Sequence, residues 1–245
     1  MTYLYDEVSP ASSRLVPFQS VAQLESLGIR LWDAPDIELL EPEQIESQFV
    51  YRDQFRRDFG YVLASAEVMA VLADLFRVCS PVLDAGCGSG YLSKELTRLG
   101  VSSFAVDCRD FLEARATGRG YPINAVFQRD ALGDAVSFVS NRFGAVLLVW
   151  PPHDHPFATR VAQAMLPDQL LVYEGEAAGG CTANDAFFEC MADSSRWELL
   201  SDVSACLNGV HVTLSMLHDH WTVWRRLDSP RFELAQPSAV VHVSR

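Results

Sequence analysis

No CxxC pair and no zinc-type spacing occurs among the six cysteines, Cys79, Cys87, Cys108, Cys181, Cys190 and Cys206. Neither a structural metal site nor a disulfide framework is therefore written in the sequence. In a chain of 245 residues these thiols read as buried and reduced, which points to a cytoplasmic protein. Positive charge is also scarce: 19 Lys and Arg face 32 Asp and Glu, a formal net charge of -13. That balance repels phosphate and excludes nucleic acid as the expected partner. The short basic groups Arg52, Arg56, Arg57 and Arg225, Arg226 are expected as solvated surface. No apolar run reaches the length of a membrane span. Met1 to Glu7 offers neither the basic start nor the apolar stretch of a signal peptide. The expectation is a soluble acidic protein whose partner is a small molecule, with no membrane or nucleic-acid surface.

What the chain does hold is a regular alternation of short apolar runs and helical stretches. Residues 1–64 stand apart, broken by Pro10, Pro17, Pro35 and Pro42 and carrying Phe49, Tyr51, Phe55, Phe59 and Tyr61. They are expected to form an accessory segment, whose aromatics either close over a site as a lid or pack on the first helix. From Ser65 the spacing of Val68, Met69, Val71, Leu72, Leu75 and Phe76 is helical. Strands are expected at Pro81 to Asp84, Ser103 to Asp107, Asn124 to Phe127, Ala145 to Trp150 and Gln169 to Tyr173, with helices at Tyr91 to Leu99 and His155 to Met165. Continuous apolar strands separated by helices mean a parallel sheet covered on both faces. Trp197 to Ser204 and Trp221 to Arg226 read instead as an antiparallel pair joined by a long loop. The fold class is α/β: a doubly wound, mostly parallel, Rossmann-like sheet ending in an antiparallel strand pair, over residues 65–245.

The most specific stretch is Val82-Leu83-Asp84-Ala85-Gly86-Cys87-Gly88-Ser89-Gly90-Tyr91. It lies at a strand-to-helix junction, where open α/β sheets bind ligands, and its glycines allow a tight turn and a close approach. The spacing is G-x-G-x-G, unlike the G-x-G-x-x-G of a dinucleotide site. The acid before it, Asp84, would repel a pyrophosphate but suits a cationic amino-acid group. Asp107 ends the next strand, where a carboxylate accepts hydrogen bonds from ribose hydroxyls, and Asp130 follows the third strand.

These residues resemble the class I S-adenosylmethionine-dependent methyltransferases over roughly residues 65–226. The resemblance implies that Asp84, Gly86 and Gly88 hold the methionine end of S-adenosylmethionine, with Ala85 and Gly90 also among the cofactor-binding residues, that Asp107 holds the ribose and that Asp130 meets the adenine amino group. The antiparallel last strands also suit that fold. At the end of the fourth strand, many amino-methylating members carry Asp or Asn before Pro-Pro-aromatic. Here the run is Trp150-Pro151-Pro152-His153, which argues against methylation of a base in DNA. Trp150 either presents its face to a sulfonium or plugs the core beneath the site.

Three residues are candidates for catalysis: Trp150, His153 as a general base, and Glu174 facing an acceptor. His153-Asp154-His155 offers only two imidazoles, so no metal is expected and a surface turn is the alternative reading. Glu174 and Glu176 are alternatively a solvated acidic turn, and His218-Asp219-His220 a turn before the last strand. The expected function is methyl transfer to a small molecule. The competing readings are a cyclase or lyase consuming S-adenosylmethionine alone, as in bacterial azetidine-2-carboxylate synthases, and a protein that binds it without turnover.

Overall fold

The computed structural model describes residues 17–31, 41–108, 125–127, 142–214 and 217–228. In chain order the elements are α1 (Val21–Glu25), β1 (Arg30–Leu31), α2 (Pro42–Asp58), α3 (Ala66–Val78), β2 (Val82–Ala85), α4 (Tyr91–Arg98), β3 (Ser103–Cys108), β4 (Ala125–Phe127), β5 (Ala145–Val149), α5 (Phe157–Ala164), β6 (Leu170–Gly175), α6 (Asp185–Met191), β7 (Trp197–Leu199), α7 (Ser201–Asn208), β8 (Val212–Thr213) and β9 (His220–Arg226).

The first regular helix of the core starts where Ser65 caps it, its hydroxyl accepting the Val68 N–H at 3.0 Å. Val68, Met69, Leu72, Ala73 and Phe76 then fall on one buried face of α3. Strands β2 and β5 are buried along both faces. Val82 and Leu147 join the cluster containing Leu72, Phe76 and Trp221. Their neighbours Leu83, Val146 and Leu148 join the opposite cluster with Val161, Phe187 and Trp197. That alternation in space underlies the continuous apolar run in sequence.

The main sheet has seven strands in the order β4-β3-β2-β5-β6-β9-β7. It is parallel from β4 to β6, and β9 runs antiparallel to both of its neighbours. The order reverses at β2, which has β3 on one side and β5 on the other. Crevices at such reversals are where open α/β sheets bind ligands.

The chain's end differs from the sequence expectation in one respect. The connection from β7 to β9 holds a helix, α7, and the short strand β8 rather than a loop. Only Ser204 and Leu207 of α7 are buried, so its apolar period is faint. The helix is seated by polar bonds instead: the Ser204 hydroxyl accepts the Val223 N–H at 2.9 Å and donates to the Leu200 carbonyl at 3.0 Å.

The described residues ahead of α3 pair and pack with the rest of the fold. β1 pairs with β8, Arg30 opposite Thr213 and Leu31 opposite Val212. Leu24, Ile29, Phe55 and Phe59 are buried in the cluster that α3 fills. The thiols are all free, but Cys181 and Cys206 are exposed and only Cys108 is fully buried; the expectation of six buried thiols fails because loop and helix-surface positions take two of them. Arg226 corrects the expectation of solvated basic groups. It is buried, its guanidinium 5.0 Å from the centroid of the Trp197 ring. Among the described residues, no helix is long and apolar enough to cross a membrane.

Candidate functional site

Between β2 and α4 the chain turns through three left-handed glycines, Gly86, Gly88 and Gly90, at φ of 75°, 58° and 76°. At Gly86 a Cβ would lie 3.0 Å from the Phe157 ring, so both conformation and space require glycine there. The turn is pinned to the neighbouring strand. The Gly86 and Cys87 N–H groups donate to the Val106 carbonyl at 2.9 and 3.0 Å. The Gly88 N–H donates to Asp107 Oδ2 at 2.6 Å, and the Cys108 N–H donates to Asp107 Oδ1 at 2.6 Å. The carboxylate that ends β3 is thereby fixed in orientation against the glycine turn.

Asp84 lies beneath the turn. Its Oδ2 accepts the Ser93 hydroxyl at 2.7 Å, and Ser93 Oγ is 2.7 Å from that of Ser103. Burial pushes the Asp84 carboxyl up to about 7; the Ser93 hydrogen bond opposes this and the nearby Asp107 charge adds to it. Burial likewise raises the Cys87 thiol well above its usual range, so it is not a thiolate nucleophile at neutral pH.

Above the turn opens a cavity of about 660 Å³, within the range of about 300–1,000 Å³ for small-molecule sites. Asp84, Gly86, Cys87, Gly88, Asp107 and Cys108 line one side, and Val149 to His153, His155, Phe157 and Cys181 line the other. Phe59, Gly60, Tyr61 and Val62 complete the wall from the segment ahead of α3. That segment is tied to the turn by the Ser89 hydroxyl on the Phe59 carbonyl and by the Tyr91 hydroxyl on the Val62 carbonyl. Phe55 and Phe59 pack on Tyr91, and of these aromatics Phe59 and Tyr61 reach the cavity.

Trp150 is half-buried in the cavity wall. Its φ is 46°, a conformation rare for a bulky residue and costing of order 1–3 kcal/mol. It is held by its N–H on the Glu174 carbonyl at 2.9 Å and by the Ala183 N–H on the Pro151 carbonyl at 2.9 Å. Tyr61 stacks on the indole, with ring centroids 5.6 Å apart and planes 15° apart. The Arg52 guanidinium lies 5.7 Å from the indole centroid.

His153, exposed, and His155, half-buried, also line the cavity. Glu174 does not line it. Glu174 and Glu176 are both buried rather than solvated, because the end of β6 is covered by β9 and residues 217–219. The Glu176 carboxylate accepts the Cys181 N–H at 2.6 Å. Glu174 meets His211 and Asp219, with one oxygen or nitrogen of each lying within 4.8 Å of the others.

Donor chemistry sets the character of this buried trio. The Trp221 indole N–H can only donate, and it does so to His211 Nδ1 at 3.2 Å. The neutral ring must then carry its proton on Nε2, 3.5 Å from Asp219, which leaves no lone pair there for a cation. Burial, the Asp219 charge and the Asp219 hydrogen bond raise Glu174 well above the carboxylate range. Burial pushes Asp219 up too, but hydrogen bonds from His211, Glu174 and Thr213 outweigh it and hold Asp219 below the usual range. Within the trio, Glu174 is thus held toward its protonated form and Asp219 toward its charged form.

The structure thus brings Asp84, Ala85, Gly86, Gly88, Gly90, Asp107 and Trp150 to one end of the sheet. Asp130 lies outside the described residues. Sequence reasoning missed Arg52 and the partnership of Glu174 with His211 and Asp219. Arg52 had a signal: it lies three and seven residues before Phe55 and Phe59, at the flank of the helix's apolar face.

No known family and no curated protein matches the chain. Among solved structures, human N-acetylserotonin methyltransferase in complex with S-adenosylmethionine is 10% identical, covering 86% of this chain and 63% of that one, at a TM-score of 0.43. The CcbJ methyltransferase from Streptomyces caelestis is 15% identical, covering 65% and 94%, at 0.42. Precorrin-6y C5,15-methyltransferase from Geobacter metallireducens is 14% identical, covering 68% and 91%, at 0.38.

Proposed function

We propose that this chain binds S-adenosylmethionine and transfers its methyl group to a small molecule. The observation that carries this reading is the bond between Gly88 and Asp107. It places an oriented carboxylate and a glycine turn together on one wall of the cavity, at the point where strand order reverses. The donor set fits the ligand. The Gly88 and Cys108 N–H groups fix the Asp107 carboxylate in orientation, and a carboxylate, an acceptor on both oxygens, suits ribose hydroxyls. Asp84, next to the turn, suits an ammonium group, and the glycines leave room for a close approach.

S-adenosylmethionine would supply an activated methyl group on a cationic sulfur, so the chain itself needs no strong acid or base. Its task is in-line positioning and exclusion of water. Phe59, Tyr61, Trp150, Pro151 and Phe157 provide an apolar wall for that purpose. His153, which lines the cavity, would take a proton from an acceptor as it is methylated.

The test is to incubate the purified protein with S-adenosylmethionine, with and without candidate acceptors, and to identify the nucleoside formed. Adenosylhomocysteine that depends on an acceptor supports transfer. Methylthioadenosine formed without any acceptor above the spontaneous rate overturns it in favour of cyclisation or lysis. Tight binding with no product across the acceptors tried overturns it in favour of a binding protein.

A further inference from the structure

The three arginines of α2 are treated differently by the fold. Arg56 and Arg57 both pair with Asp53, at 2.9 and 3.1 Å. Arg52, one turn earlier, makes no ion pair among the described residues and lines the cavity instead. It is the only Lys or Arg among the described residues doing so. Its guanidinium lies against Trp150, at the end of β5. Asp107, at the end of β3, lines the same cavity. Among the described residues the cavity lining therefore holds the carboxyl groups of Asp84 and Asp107 and a single guanidinium.

A guanidinium 5.7 Å from an indole centroid makes a cation–π contact that uses none of its N–H donors, and its N–H edge matches a carboxylate with two parallel hydrogen bonds. We propose that Arg52 is the carboxylate-binding residue of this cavity. The carboxylate belongs either to the methionine end of the cofactor or to an acidic acceptor. The proposal builds on the reading of the cavity as a site for S-adenosylmethionine, but a carboxylate can be tested for without it.

The experiment has two arms on the full chain, comparing wild type with Arg52→Gln and Arg52→Lys. In the first, calorimetry measures adenosylhomocysteine and its decarboxylated analogue S-adenosyl-3-thiopropylamine, which keeps the amine. In the second, ligand-observed NMR measures benzoate and indole-3-acetate against their primary amides, with and without adenosylhomocysteine. If the carboxylate is the cofactor's, Arg52→Gln weakens adenosylhomocysteine at least tenfold, Arg52→Lys weakens it less, and the decarboxylated analogue is unaffected. If it is the acceptor's, adenosylhomocysteine is unchanged while the acids, but not the amides, lose the same factor in Arg52→Gln. Wild type that fails to prefer acid over amide in both arms overturns the proposal, and so does a preference that survives in Arg52→Gln. Failure of adenosylhomocysteine to bind wild type would instead remove the cofactor reading, leaving the acid-amide contrast to decide Arg52.

Discussion

The Gly88 N–H and Asp107 Oδ2 lie 2.6 Å apart, and through that bond the glycine turn after β2 reads the orientation of the carboxylate that ends β3. Because the Cys108 N–H takes the other oxygen, Asp107 faces a backbone donor at each end. An asparagine would have to turn its amide N–H₂ toward one of them. Asp107→Asn is therefore expected to behave nearly as badly as Asp107→Ala. Charge-assisted bonds to a ribose are worth roughly 1.5–3 kcal/mol, so either change should weaken adenosylhomocysteine at least about tenfold in calorimetry. Unchanged affinity in both variants would displace the ribose site from Asp107.

Asp84 gives the site a pH dependence of definite sign. Its folded carboxyl is raised to about 7 from an ordinary 3.8, chiefly by burial. The folded state thus holds a proton that the unfolded state has released, and stability falls as pH rises between those values. The full effect is at most about 4 kcal/mol. An ammonium bound nearby favours the carboxylate, so binding of adenosylhomocysteine should release a proton. Affinity is expected to rise between about pH 5.5 and 7, below the range where an α-amino group titrates. Asp84→Asn should flatten both curves; a variant that keeps the wild-type slope would assign the titration elsewhere.

The buried trio behind Trp150 predicts an asymmetry. Glu174 is held toward its protonated form, which a glutamine amide can imitate. Asp219 accepts from Thr213, faces His211 Nε2 at 3.5 Å and is held toward its charged form, and an asparagine would set an N–H against those groups in place of the charge. Denaturant unfolding should show Glu174→Gln close to wild type and Asp219→Asn destabilised by roughly 1–3 kcal/mol. Exhaustive chelation should leave stability and any turnover unchanged, since the His211 nitrogen facing the carboxylates is protonated. Equal losses in the two variants, or activity restored by a divalent metal, would refute this arrangement.

Local patterns carried most of the fold. The strands at Val82, Ser103, Ala145 and Leu170 and the helices at Ala66 and Tyr91 were legible because burial on both faces, or on one helical face, leaves a periodic mark. Helix α7 was not, since Ser204 holds it through hydrogen bonds. The glycine turn and the two acids Asp84 and Asp107 were legible because one short stretch and the next strand end contain them. Arg52 lies 98 residues from Trp150 in sequence, and Glu174 lies 45 from Asp219. Only the sheet order and the packing of α2 bring such pairs together, and no local spacing records that.

Trp150 is where the remaining choice about chemistry can be made. Its indole could face the sulfonium of a bound cofactor, as its place at the end of β5 suggests, or it could serve Arg52 as a cation–π partner. Tyr61 and Arg52 already lie against the ring, and a sulfonium sharing the same face would be repelled by the guanidinium. The second role is therefore expected to dominate. Trp150→Ala should slow nucleoside formation at least about tenfold, about 1.4 kcal/mol, with Trp150→Phe retaining more activity and Trp150→Asn no better than alanine. Circular dichroism should show all three folded, because the side chain lines a cavity rather than filling the core. The double variant with Arg52→Gln separates the roles. If Trp150 acts through Arg52, the double variant is little slower than the worse single one, an interaction of at least about 0.5 kcal/mol between contacting groups. If the two effects simply add, Trp150 meets the reacting centre by itself, and the sulfonium platform is restored.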